Sequence, residues 1–285
     1  MQKIFILIVA LLLTVNAYAD DSTLVKSIKK IETDFDAKVG VAVYDLNTND
    51  LWSYNADETY PLMSTFKTLA CANVLKQLDE GKLSLDTEIK IDSSDIVTEW
   101  SPVLKDKANQ SLTIKQLCDA MMMQSDNSAA NIILKTLGGP ESITQFAKTL
   151  GQTKTNLTRN EPNLNNVTAL DKIDSTTPNE MVRMLDSLLY TNILSEKSKL
   201  QLLEWMKQNQ VSDILLRSIT PEDVNIADRS GANEGGRAIT AVVWNDKMKP
   251  IIIAIYIAHS NLEQKYLHEA IVDIGEKIYR QFKVI

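Results

Sequence analysis

The chain has few of the side chains that hold transition metals: 2 cysteines and 2 histidines in 285 residues. Neither a Cys-x-x-Cys nor a His-x-x-x-His spacing occurs, which argues against a metal enzyme. An excess of positive charge is also missing. Lysine and arginine number 30 against 37 acids, for a formal net charge of -7, and that balance argues against a nucleic-acid partner. The apolar run Ile4–Leu13 is too short to cross a bilayer comfortably. It follows the weakly basic Met1–Lys3 and precedes Ala17-Tyr18-Ala19, a small-x-small site directly before Asp20-Asp21. That is the build of a secretory signal, residues 1–19, cleaved after Ala19; a retained anchor is the alternative. No cysteine near the cleavage site suggests a lipoprotein, so no stable membrane association is expected after cleavage. In an exported chain, Cys71 and Cys118 favour an oxidised pair over two free thiols, although spacing alone does not establish contact.

What is present is an ordinary globular composition, 44% hydrophobic, in a chain long enough for one large core or two lobes. Leu24, Ile28, Ile31 and Phe35 share one side of a short helix. A strand over Val39–Tyr44, a turn at Asn47–Asp50 and a return at Leu51–Tyr54 form a hairpin. Helices are predicted from Thr113 (paired with Gln116 as a capping box), from Ala129 to Leu137, from Pro140, from Thr177 and over Lys199–Gln208. Between them, Gly81 to Ser111 and Gly151 to Thr176 show little pattern, and a loop as long as the second is functional or disordered. Ala238–Trp244 and Ile251–Ala258 are strands, the second apolar on both faces and therefore central in a covered sheet. A final helix carries Leu267, Ile271, Ile274, Ile278 and Phe282. Strands at both ends and helices between them predict an α/β plus all-α fold. Its antiparallel sheet would be flanked by helices and built from 20–60 and 208–285, with 61–207 an inserted helical domain.

The chain is organised around Met63-Ser64-Thr65-Phe66-Lys67. Phe66, Leu69, Ala70, Val74 and Leu78 follow at helical spacing, so Ser64 and Lys67 sit at i and i+3 on one face of an amphipathic helix. A serine near unpaired helix-start N–H groups suits an attacked carbonyl that gains negative charge. A lysine whose pKa is depressed can take the hydroxyl proton. Ser125-Asp126-Asn127, between two helices, offers a hydroxyl and an amide, with Asp126 equally suited to plain N-capping. Glu161 and Asn165, four apart in the patternless stretch, can share a water. Arg229-Ser230-Gly231, just before the last strand pair, supplies a cation, a hydroxyl and close backbone approach for a carboxylate.

Each motif alone is common. Together, in this order and at these separations, they resemble the active-site set of the class A serine beta-lactamases, over essentially the whole mature chain. The resemblance implies a periplasmic enzyme without cofactor or metal, acting as a monomer on beta-lactam small molecules, penicillins and some cephalosporins. Ser64 would form the acyl-enzyme, with Lys67 as base or relay, Ser125 as proton carrier and Glu161 as activator of the hydrolytic water that Asn165 helps hold. The N–H groups of Ser64 and Ala232 would form the oxyanion hole. Trp100, Asn127, Arg229, Ser230, Gly231, Asn233 and Arg237 would contact substrate. Cys71 and Cys118 match the family's disulfide, and Arg159 and Asp174 the pair closing its omega loop, 159–174. Glu161-Pro162 resembles the cis peptide of that loop. Arginine at 229, where lysine is usual, resembles the carbenicillin-hydrolysing branch. The stretch 232–237 is about one residue short, and Asn233 stands where glycine is frequent. Two alternatives remain: a penicillin-binding D-alanyl-D-alanine carboxypeptidase, which lacks a deacylating glutamate on such a loop, and a non-catalytic cell-wall binding protein.

Overall fold

In the computed structural model, residues 23–166 and 172–285 are described. The expected signal segment 1–19, its cleavage after Ala19, and positions 167–171 of the loop 159–174 lie outside the described residues. The sheet has five antiparallel strands: β1 (Lys38–Asp45), β2 (Asp50–Tyr54), β7 (Asn225–Asn233), β8 (Gly236–Asn245) and β9 (Met248–Ala258). Their order is β2-β1-β9-β8-β7, so the strand with two apolar faces is central. Strand alternation sends its side chains into two separate cores. Ile251, Ile253, Ile255 and Ile257 pack with Leu24, Ile28, Leu267 and Ile274, from α1 (Thr23–Phe35) and α8 (Gln264–Gln281). Ile252, Ala254, Tyr256 and Ala258 join the larger core of the intervening helices. A second pair of short strands has β4 (Glu88–Lys90) inside the patternless stretch 81–111 and β5 (Ser111–Thr113) at its end. Likewise β3 (Tyr60–Pro61) pairs with β6 (Ser175–Thr176), at the end of the long patternless segment.

Helix α2 (Phe66–Asp79) departs from the amphipathic expectation. Every residue from Phe66 to Leu75 is buried, Lys67, Thr68 and Asn73 included. The polar positions that resemble a solvent face instead point into the protein. Against α2 pack α3 (Ile114–Met123), α4 (Asn127–Thr136), α5 (Glu141–Thr149) and α7 (Glu196–Lys207). The predicted capping box of α3 forms: Thr113 Oγ1 accepts from Gln116 N, and Gln116 Oε1 from Thr113 N. Cys71 on α2 and Cys118 on α3 are joined as a disulfide, with Cα atoms 6.0 Å apart. At α6 (Pro178–Tyr190), Thr177 is the N-cap, but Glu180 does more than favour a helix start. Its carboxylate accepts the N–H groups of Thr153, Lys154 and Thr155 at 2.9, 2.8 and 2.7 Å, anchoring the entry to the long loop.

Strand β7 is the main departure. Arg229-Ser230-Gly231 lies just ahead of the strand pair β8–β9, as expected, but is itself part of a third strand, at the edge of the sheet. Asp228 and Arg229, which a pattern reading assigns to solvent, are both fully buried. Asp228 accepts from Arg217 Nε at 2.7 Å, and Arg229 faces the cleft between the sheet and the helices. Among the described residues, no helix is long and apolar enough to cross a membrane.

Candidate active site

The turn that presents Ser64 is a 3-10 turn, Met63–Thr65, leading directly into α2. Met63 has a φ of +47°, a conformation that residues other than glycine rarely adopt. Thr65 Oγ1 is tied to Leu62 O at 2.5 Å and to the Tyr256 hydroxyl of β9 at 2.9 Å, which fixes the turn to the central strand. One helical turn on, Lys67 is completely buried. Its Nζ donates to Ser125 O at 2.8 Å, Ser125 Oγ at 3.2 Å and Asn127 Oδ1 at 2.7 Å. It also lies 3.3 Å from Glu161 Oε1. Burial lowers its pKa from 10.5 to about 8; Glu161 opposes the shift, and the Arg229 charge adds to it.

From the opposite wall, Ser125 (φ +60°) brings its Oγ to 3.1 Å from Ser64 Oγ. Asp126 performs its plain role and a further one. One carboxylate oxygen caps α4 at Ala129 N, and the other accepts Val103 N and Leu104 N, each at 2.9 Å. That second contact holds the segment bearing Trp100, which is 62% exposed and donates Nε1 to Gln124 O at 3.0 Å. Asn127 is engaged at both ends of its amide, by Lys67 and by Glu99 O, to which its Nδ2 donates at 2.9 Å.

The long loop brings Glu161 beneath Ser64. Ser64 Oγ donates to Glu161 Oε1 at 3.5 Å, while Asn165 Nδ2 donates to Glu161 Oε2 at 2.7 Å. The Glu161-Pro162 peptide is cis. The loop ends are joined by an ion pair between Arg159 Nε and Asp174 Oδ2, with the Asp174 carboxylate fully buried. A clamp with no motif to mark it completes the placement. Asn131 of α4 donates Nδ2 to Glu161 O and accepts Glu161 N at Oδ1, both at 2.9 Å. The one sequence signal for Asn131 is its position four residues after Asn127, a polar residue among Ala129, Ala130, Ile132 and Ile133 on the same helix.

The fourth wall is β7. Its backbone runs so close to the Ser64 turn that a Cβ added at Gly231 would lie 2.8 Å from Ser64 N and 2.7 Å from Met63 Cβ. Only glycine fits there. Arg229 donates from one terminal nitrogen to Ser125 Oγ, and its Nε and other terminal nitrogen are buried without a protein partner. Burial pulls its pKa down to about 10. Arg237, at the start of β8, pairs with Ala232 across the strands and shares a face with Ser230. It is 8% exposed, its Nε has no partner, and burial lowers it to about 10 as well. This edge of the sheet thus carries two buried guanidinium groups with unpartnered nitrogens, Arg229 on one face and Arg237 on the other by strand alternation. Asn233, the last residue of β7, donates Nδ2 to Asn165 O at 3.3 Å.

A hydroxyl held against a buried amine and a buried carboxylate, with a second serine between them, is equipped for acyl transfer through a covalent serine adduct. Residues 23–282 match the model of the beta-lactamase enzyme family. The chain belongs to that family. It is 44% identical to beta-lactamase CARB-4 of Pseudomonas aeruginosa over 89% of this chain and 88% of that protein. It is 36% identical to beta-lactamase AER-1 of Aeromonas hydrophila, over 95% and 90% of the two chains. The fold matches the chromosome-encoded beta-lactamase of Vibrio parahaemolyticus with a TM-score of 0.88 and 44% identity, covering 91% and 99% of the two chains. An ancestral class A beta-lactamase superposes with a TM-score of 0.87 at 34% identity, over 90% and 99%. The protein is thus a class A serine beta-lactamase that opens the beta-lactam amide through an acyl-enzyme, an antibiotic-resistance activity. Membership sets aside the carboxypeptidase and the non-catalytic binding protein. Among the described residues, no cluster of His, Cys, Asp and Glu is arranged to hold a metal ion.

Proposed function

We propose the following division of labour in this beta-lactamase. Ser64 Oγ attacks the lactam carbonyl as its proton passes to the buried Lys67. The N–H groups of Ser64 and Ala232 receive the oxyanion. As the C–N bond breaks, Ser125 gives its proton to the leaving nitrogen and is resupplied from Lys67. Glu161 then takes a proton from a water held with Asn165; the hydroxide attacks the ester, and Ser64 Oγ leaves and recovers its proton. Ser230 and Arg237 take the substrate carboxylate, and Arg229 sets the positive potential behind Ser125. The observation that carries this reading is the cluster itself. Ser64 Oγ lies 3.1 Å from Ser125 Oγ and 3.5 Å from Glu161 Oε1, and Lys67 reaches Ser125 and Glu161 at 3.2 and 3.3 Å.

The substrate range proposed is penicillins, with carboxypenicillins accepted, and some cephalosporins. Trp100 at the rim and the Asn127 amide are assigned to the substrate side chain, Asn127 exchanging its Glu99 bond to do so. Export to the periplasm with cleavage after Ala19 is supported by the N-terminal pattern and by the disulfide, a bond of oxidising compartments. The enzyme is proposed to act as a monomer, as the family resemblance implies. Its two lobes are taken as 20–60 with 208–285, and 61–207. The test is hydrolysis of a penicillin, a carboxypenicillin, an oxyimino-cephalosporin and a carbapenem by the purified enzyme and by Ser64→Ala. Penicillin and carboxypenicillin turnover lost in the variant is the expected result; turnover that survives Ser64→Ala overturns the assignment.

A further inference from the structure

The turn between β7 and β8 is short and pinned from two sides. Only Glu234 and Gly235 separate the paired residues Asn233 and Gly236. Gly235, at φ +74°, lies against the chain after β9, where an added Cβ would meet Ser260 O at 2.4 Å, and its carbonyl accepts from Ser260 N at 3.0 Å. Gln264, the first residue of α8, donates its side-chain amide to Asn233 O at 2.7 Å and to Gly236 O at 3.1 Å. The pinned turn delivers Asn233 to the cleft face of β7, the face it shares by alternation with Arg229 and Gly231. There its Nδ2 donates to the backbone oxygen of Asn165. Among the described residues, no other hydrogen bond joins the turn Asn163–Asn165 to β7. A cleft of 370 Å³ opens beside the strap, with Asn165, Asn166, Glu234 and His259 among its lining residues.

We infer that Asn233 is a positioning residue for deacylation, a strap from the sheet that fixes Asn165 and through it Glu161. The inference rests on the reading that Glu161 and Asn165 hold the hydrolytic water. The sequence of contacts is explicit: Gln264 fixes the Asn233 backbone, Asn233 Nδ2 fixes the Asn165 backbone, and Asn165 Nδ2 fixes Glu161 Oε2 at 2.7 Å. A carboxylate and an amide that share one water must be placed within fractions of an ångström. The loop's own structure at this point is a single 3-10 turn. The strap's hydrogen bonds run among Gln264, Asn233, Gly236 and Asn165 and include none of Ser64, Lys67 or Ser125, so acylation is expected to proceed without it.

The experiment compares Asn233→Ala, Asn233→Asp and Asn233→Gly with the wild type on benzylpenicillin, by steady-state kinetics and rapid-quench mass spectrometry of the acylated fraction. Asn233→Asp keeps the shape and loses the donor; Asn233→Gly removes the side chain altogether. All three are expected to raise the steady-state acylated fraction. Each is expected to lower kcat by about three- to tenfold, the rate equivalent of one neutral hydrogen bond. KM should fall with kcat, leaving kcat/KM within about twofold, because that ratio reports acylation. A merely structural loosening would instead lower kcat/KM. Unchanged acylated fractions in the folded variants, or kcat/KM falling in step with kcat, overturn the inference. Glu161→Ala, run alongside, separates the two levels. If it traps the acyl-enzyme while the Asn233 variants clear theirs normally, the strap fails and the reading beneath it stands. If Glu161→Ala itself turns over normally, both fail.

Discussion

Asp174→Asn tests how the long loop is held, and its size can be worked from the contacts. The Asp174 carboxylate is fully buried. One oxygen accepts Thr158 N at 2.6 Å, Arg159 N at 3.0 Å and Thr158 Oγ1 at 3.2 Å; the other accepts Arg159 Nε. Its backbone oxygen accepts Leu62 N at 2.8 Å, so the same residue ties the loop to the chain just ahead of Ser64. Asparagine can keep its oxygen on the two backbone N–H groups, but its NH₂ must then face the guanidinium. The change therefore removes one charge-assisted hydrogen bond, about 1.5–3 kcal/mol. The larger cost of orphaning a fully buried ion, about 3–5 kcal/mol, is an upper bound here because the Arg159 side chain is 29% exposed. At about 2–4 °C per kcal/mol for a chain of this size, Tm should fall by about 3–12 °C. Activity should fall unevenly. A loop loosened by even 1.4 kcal/mol displaces Glu161 enough for deacylation to drop about tenfold, while acylation, which uses Ser64, Ser125 and Lys67 on rigid elements, changes by less than about threefold. Stopped-flow acylation and deacylation rates on a penicillin check this. Equal losses in both steps would mean general destabilisation and refute the argument.

Three further outcomes follow from the same geometry. Gly231→Ala should cut kcat by about a hundredfold, the scale of an oxyanion-hole loss, because the new methyl collides with the Ser64 amide; a kcat within about threefold of wild type would contradict the close approach. Arg229→Gln should move any limb of the kcat/KM–pH profile that belongs to Lys67 upward from about 8, since one positive charge beside the ammonium is gone; a limb that stays in place refutes that coupling. The sign for stability is the same. A lysine with a lowered folded pKa penalises folding below about 8 and less as pH rises toward 10.5, so wild-type stability rises through that window. Replacing Cys71 and Cys118 by serine together should lower stability by up to about 4 kcal/mol, from a loop of separation 47, with penicillin turnover retained below the new Tm; two titratable thiols in native active enzyme would contradict the bond.

Much of this architecture is legible in the chain because the signals are local. The β9 run Ile251–Ala258 declares its centrality by having no polar face, and the Thr113–Gln116 and Thr177–Glu180 pairs mark helix starts. Ser64, Lys67, Ser125, Glu161 and Asn165 are recognisable as candidates by order and spacing, and the structure brings them into one hydrogen-bonded cluster. What is not legible depends on tertiary partners. Edge strand β7 hides because Asp228 and Arg229 break the apolar alternation; Asp228 is paired by Arg217, and Arg229 is met by Ser125, 104 positions away. The inward turn of all sides of α2 hides because Lys67 and Asn73 look like a solvent face until the site that uses Lys67 is assembled. Asn131 belongs to no motif and Glu180 reads only as a helix-start acid, yet each holds backbone of the long loop, and only the folded loop reveals what they grip. Arg229 reads from sequence as a cation available to a substrate carboxylate. Its complete burial and its bond to Ser125 instead favour a charge-setting role behind Ser230.

The central claim is that Glu161 activates the water that clears an ester on Ser64. Intact-protein mass spectrometry of Glu161→Ala mixed with a penicillin tests it most directly. A persistent mass gain of one penicillin is expected, located on the peptide that contains Ser64, with acylation still complete and release very slow. Turnover near the wild-type rate with no trapped ester would contradict it.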